Sequence, residues 1–189
     1  MASIHPIKLI GEWTEGYALD KHIQSSRYLG EDAFGHKQFK NEYSEIGKLL
    51  YQLKYNGRLD TSAQILQLAA PFLDRWLPDI NADILLPVPP TKNRDIQPLF
   101  LIAEAVAAHY DIPYSTEVLA NDNPVQMKDR NAQPQIRLLK PAKRKCNVLL
   151  IDDLYSSGKT LTECTRALKR DALVVNVFVL TITHTGGAK

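Results

Sequence analysis

A chain of 189 residues with 44% hydrophobic content is sized for one compact domain with a sizeable buried core. Charged residues make up 23% of it and the formal net charge is +2, which excludes the global basic field of a dedicated nucleic-acid binder and points to a small partner. Two cysteines, Cys146 and Cys164, make no CxxC pair, and five scattered histidines show no HExxH spacing, so neither a disulfide framework nor a dedicated metal site is expected.

The opening MASIHPIKLIGEW lacks the apolar core of a signal peptide, and no run reaches the ~20 apolar residues of a spanning helix. The expectation is a cytoplasmic protein with no membrane contact. Residues 4–23 read as two extended runs turning at Thr14, Glu15 and Gly16, and residues 25–38 read as loop. From Asn41, Ile46, Leu49, Leu50 and Leu53 recur at helical spacing and stop at Asn56-Gly57. A second helix begins with Thr61 as its cap and runs through Ile65, Leu66, Leu68 and Ala69 towards Trp76. The remainder alternates: strand 82–88, a helix marked by Leu99, Ile102, Ala103, Val106 and Tyr110, strand 116–119, strand 147–152, helix 159–170 and strand 174–184. This order predicts an α/β fold, a mainly parallel sheet flanked by helices, with ligands at the carboxyl ends of its strands. Residues 121–145 form a polar, proline-punctuated stretch well beyond the ~12–15 residues above which structureless loops are uncommon, so it is expected to have a function.

The strongest chemical signal is VLLIDDLYSSGKT, residues 148–160. A buried-looking strand ends in Asp152 and Asp153, then passes through Tyr155, Ser156, Ser157 and Gly158 into a helix opened by Lys159 and Thr160. Unpaired N–H groups and the dipole at a helix start suit an anion, and the hydroxyls add donors. Two adjacent carboxylates repel a free polyphosphate but accept hydrogen bonds from sugar hydroxyls and face a developing cation. A phosphorylated sugar satisfies both halves. The rival readings fail: a Walker A loop needs Gly where Asp153 stands, and too few residues follow Asp153 for a phospho-receiver domain. A plain strand end and helix cap would need only one of these small polar residues.

VLLIDDLYSSGKT resembles the phosphoribosyl pyrophosphate (PRPP) signature of type I phosphoribosyltransferases. NEYSEIGKLLYQLKYNG (41–57) and ILLPVPPTKNR (84–94) are similar to the helix and the PVP loop of the ComF-like, competence-associated branch. The zinc ribbon frequent in that branch is missing, Lys159 replaces a usually small residue, and Arg94-Asp95-Ile96-Gln97 departs from its usual stretch. The resemblance implies a Rossmann-like phosphoribosyltransferase domain over 41–189 with an N-terminal hairpin or hood over 1–40. It further implies transfer of a phosphoribosyl group to a base or amine, with Mg2+ carried by PRPP. Asp152 and Asp153 would be catalytic, with Tyr155, Ser156, Ser157, Gly158, Lys159 and Thr160 on the 5-phosphate. Thr91, Lys92 and Arg94 would meet the pyrophosphate, helped by candidate cis bonds at Val88-Pro89 and Pro89-Pro90. Residues 121–145 would be the mobile catalytic loop, with Lys128, Arg130 and Arg137 as lid cations. A non-catalytic PRPP-binding regulator and a competence or DNA-uptake factor are the alternatives, and a homodimer is compatible with either. The basic run KPAKRK (140–145) reads as a solvated connection rather than a nucleic-acid site. Trp13, Tyr17, Tyr51 and Tyr55 could stack on an acceptor base, although aromatics at such spacings are more often core.

Overall fold

The structure, a computed structural model, describes residues 4–90, 95–122 and 134–185. Among these, five strands form one sheet in the order β1-β2-β9-β8-β5: β1 (Ile7–Lys8), β2 (Glu15–Lys21), β5 (Ile84–Pro87), β8 (Cys146–Tyr155) and β9 (Val174–His184). The pairs β2–β9, β9–β8 and β8–β5 are parallel, and only the edge strand β1 is antiparallel. The fold is therefore the mixed α/β arrangement that the alternating elements predict. Val148–Ile151 and Val177–Thr183 are buried without a break, as expected where a parallel sheet is covered on both faces.

The helices are α1 (Glu45–Tyr55), α2 (Thr61–Ile80), α3 (Pro98–Tyr110) and α4 (Lys159–Lys169). The first three pack in succession, α1 on α2 and α2 on α3, while α4 packs on β9. Helix α1 follows its apolar spacing, burying Ile46, Leu50 and Leu53, and Asn56 with Gly57 at φ 65° ends it. Thr61 is the first helical residue of α2 rather than its cap, and its hydroxyl donates to the Arg58 carbonyl at 2.6 Å.

Two sequence expectations need correction. Residues 25–38 are not a loop, because β3 (Ile23–Glu31) and β4 (Lys37–Tyr43) pair as an antiparallel hairpin. Its strands are almost wholly exposed, so the burial alternation that betrays a strand is absent. Nor does a strand occupy 116–119: the chain touches the edge of β5 at Tyr114 and bends, and β6 (Leu119–Asn121) then pairs with β7 (Ile136–Leu138) in a separate ribbon. The N-terminal runs do form the expected hairpin, but the turn lies earlier and β2 enters the main sheet beside β9. Trp13 fixes that turn: it is buried, its Nε1–H donates to the Leu9 carbonyl, and Gly11 and Gly16 leave the room its ring fills.

The seat of α1 at the end of β2 is tight. Ser44 is fully buried; its hydroxyl donates to the Lys21 carbonyl at 2.5 Å and accepts the Gly47 N–H at 3.0 Å, and a Cβ on Gly47 would lie 2.3 Å from the His22 carbonyl oxygen. Ser44→Ala is expected to cost about 2 kcal/mol in urea unfolding, through a lost cap and stranded backbone groups. Gly47→Ala should cost at least as much, since backbone rather than a flexible side chain must yield.

Candidate functional site

In a parallel sheet the carboxyl ends of the strands share one edge, and here that edge carries Lys21 at the end of β2 and His22 after it, His184 at the end of β9, and Asp152 to Tyr155 on β8. Strand β8 runs past its predicted end at Asp152, because β9 continues beside it: Asp152 pairs with Thr181, Leu154 with Thr183 and Tyr155 with His184. Consecutive side chains of a strand point to opposite faces. Asp153 thus reaches α1, where its carboxylate meets Lys54 Nζ at 2.6 Å. Asp152 turns the other way, towards Cys164 of α4, whose thiol pKa is pushed up by burial and then by the charge of Asp152.

The two carboxylates are not equivalent. Burial, reinforced by the charge of Asp153, pushes the Asp152 carboxyl up to about 7; the Asp153 N–H that donates to it at 2.8 Å and the nearby Lys54 oppose the shift only in part. Its register neighbour Thr181 is fully buried, and that hydroxyl finds no partner among the described residues. Asp153 is the one of the pair with a cation on it. Behind it, the Thr183 hydroxyl donates to the Asp153 carbonyl at 3.2 Å, and His22 Nδ1 lies 3.1 Å from the same hydroxyl oxygen. Burial and Lys54 hold the His22 imidazole below its ordinary pKa.

Beyond the acid pair the ring of Tyr155 stacks on His184 with centroids 5.2 Å apart and meets Trp13 edge-on. Ser156 and Ser157 are exposed, and Gly158, at φ 74°, starts α4. Glycine is required there twice over: the backbone is left-handed, and a Cβ would sit 2.9 Å from the Tyr155 hydroxyl. Helix α4 begins with no side-chain cap and no acidic residue in its first turn, with Lys159 and Thr160 half-buried beside it. The dipole at its start favours an anion there.

Thr91, Lys92 and Arg94 lie outside the described residues, as do Lys128 and Arg130. Arg137 is described, and it is tied to Asp122 across the β6–β7 ribbon by bonds of 2.9 and 3.0 Å. Part of the stretch read as one long loop is thus paired strand. The peptide bonds Val88-Pro89 and Pro89-Pro90, expected as candidates for cis geometry, are not cis. In the basic run, Lys140 bonds Glu117 and Arg144 pairs with Asp83. The residue that sequence reasoning missed is Lys54. At the end of a helix it reads as an ordinary partner of the helix dipole, and nothing local announces a contact with Asp153.

Among the described residues no group of three His, Cys, Asp or Glu side chains could hold a metal ion, and no helix is long and apolar enough to cross a membrane. The acid pair splays to opposite faces, with Lys54 on one member.

No protein-family model matches the chain, and no curated protein matches it. Similar solved structures include a hypothetical protein from Neisseria gonorrhoeae with bound ppGpp, at 16% identity and TM-score 0.48 over 69% of this chain and 70% of that one. A xanthine-guanine-hypoxanthine phosphoribosyltransferase from Helicobacter pylori is 13% identical with TM-score 0.44, over 72% and 78%. The Leishmania donovani UMP synthase is 17% identical with TM-score 0.41; the match covers 84% of this chain but only 28% of that longer one.

Asp152 makes stability depend on pH with a definite sign. Its folded-state pKa lies above the unfolded value, so the folded form holds the extra proton, and stability falls as pH rises from about 4 through 7. Asp152→Asn should therefore raise Tm at pH 8 by roughly 3–6 °C, with the gain shrinking towards pH 4. Scanning calorimetry across that range checks it; a gain independent of pH would overturn the assignment.

Proposed function

We propose that the chain binds PRPP at the carboxyl edge of its sheet and transfers the phosphoribosyl group to a nitrogenous base or amine, releasing pyrophosphate. The observation that carries this reading is the juxtaposition of an acid pair at the end of a buried parallel strand with an uncapped, glycine-started helix. That arrangement offers acceptors for a diol on one side and donors for a phosphate on the other.

In this reading the backbone and hydroxyls of Tyr155, Ser156, Ser157, Gly158, Lys159 and Thr160 hold the 5-phosphate. Asp153 accepts from a ribose hydroxyl. Asp152, poised near 7 in the free protein, becomes fully ionised as positive charge develops on C1, because a neighbouring cation favours the charged carboxylate. The C1–oxygen bond breaks with its electron pair leaving on pyrophosphate, and the nitrogen lone pair forms the new bond to C1. Thr91, Lys92 and Arg94 meet the pyrophosphate, and Lys128 with Arg130 closes the site against water. Mg2+ carried by PRPP would supply charge neutralisation of the leaving group.

Tyr43 at the end of β4 and Tyr51 and Tyr55 on α1, the helix that bears Lys54, form an exposed ladder with centroids 5.5 and 4.9 Å apart. It is the surface on which a flat acceptor would stack, whereas Trp13 is buried and Tyr17 packs between Phe72 and Trp76. A place in the ComF-like branch rests on the KYNG helix end, whose lysine meets the acid pair. A cytoplasmic location and a homodimer belong to the same proposal. The second reading is a PRPP-responsive regulator without transfer, favoured by the cation already seated on Asp153.

Calorimetric titration with PRPP and Mg2+ should show saturable binding that the Asp152→Asn/Asp153→Asn protein loses by ~100-fold or more, while remaining folded. Equal binding by the double variant would overturn the site. Formation of a nucleotide product from a purine or pyrimidine base then separates transfer from binding alone.

A further inference from the structure

The PRPP reading leaves an electrostatic problem at the acid pair. PRPP carries anionic groups at both ends of its ribose, and two adjacent carboxylates at the sugar site oppose its approach. Lys54 is the described cation in contact with that pair. It sits on the last turn of α1, its side chain and that of Asp153 are only 18% and 24% exposed, and their charged ends are 2.6 Å apart. The helix that delivers it is fixed by the buried Ser44 cap and by the close approach of Gly47 to His22, so the ammonium is placed by packing rather than by chance encounter of surface chains. Partly buried pairs are also screened less by salt than exposed ones.

Resting on the PRPP reading, we propose that Lys54 is a positioning residue of the sugar site, which fixes the Asp153 carboxylate towards the ligand and offsets its charge so that a polyanionic sugar can bind. Its effect scales with the charge of the ligand. A ligand with pyrophosphate on C1 depends on Lys54 more than ribose 5-phosphate does, because its larger negative charge is repelled more strongly by a carboxylate whose cation has been removed. A purely structural lysine would weaken both ligands alike.

The test is calorimetric titration of wild-type, Lys54→Met and Lys54→Arg proteins with PRPP plus Mg2+ and with ribose 5-phosphate, with melting curves for each. Methionine keeps the length and apolar stem of the side chain and removes the charge. Lys54→Met is expected to lose ~30-fold in affinity for PRPP and under ~5-fold for ribose 5-phosphate, and Lys54→Arg to restore PRPP binding to within ~5-fold of wild type. Equal losses for the two ligands, or no loss in a folded Lys54→Met protein, would overturn the role of Lys54 while leaving the PRPP site standing. Failure of the wild type to bind either ligand would overturn the PRPP reading itself, and this inference with it. If Lys54→Met melts too low to assay, Lys54→Gln and Lys54→Arg carry the same comparison between ligands.

Discussion

The site depends on the parallel ladder between β8 and β9. Both strands are buried on both faces over their central residues, so register and direction are held by backbone pairing and by packing on two sides. Because β9 continues to His184, β8 stays extended through Tyr155 and the acid pair is held in strand geometry. Strand geometry separates two neighbouring carboxylates onto opposite faces, and that separation gives them different environments. One carboxyl is desolvated beside α4; the other meets a cation from α1. A loop in the same place would have left both in water.

The arrangement is costly to the fold. A carboxyl raised towards neutrality by burial, a fully buried threonine hydroxyl without a partner among the described residues and a left-handed glycine crowd the same strand end. Sequences optimised for stability alone avoid such features, and their concentration at one edge is the pattern expected where function is the constraint. The burial that supports them comes from elsewhere: α1, α2 and α3 in succession, α4 on β9, and the N-terminal strand that covers β9 on its far side. The exposed β3–β4 hairpin contributes little burial, and its Tyr28 and Phe39 rings meet at a tilt on the solvent side.

Local rules accounted for α1 from its spacing and its Asn56-Gly57 end, for the β8–α4 unit from its apolar run and small-residue loop, and for the parallel sheet from the alternation of elements. They failed where the deciding contacts were not periodic. The β3–β4 ribbon has no buried face to impose alternation, and β6 and β7 are too short to signal themselves and pair across the stretch between them. Lys54 escaped for a different reason. Its residue type and position are ordinary on a helix, and only the docking of α1 on the sheet reveals its partner.

The helices, the strands of the parallel sheet and the glycine-containing loop beside two carboxylates were determined by the sequence itself, the β3–β4 and β6–β7 ribbons apart, because apolar periodicity, helix signals and small residues act over a few neighbours. Which carboxyl is desolvated and which one a cation attends were decided only by tertiary structure. Asp152 and Asp153 are chemically identical neighbours in the chain, and a strand's alternation distinguishes them only once different helices cover its two faces.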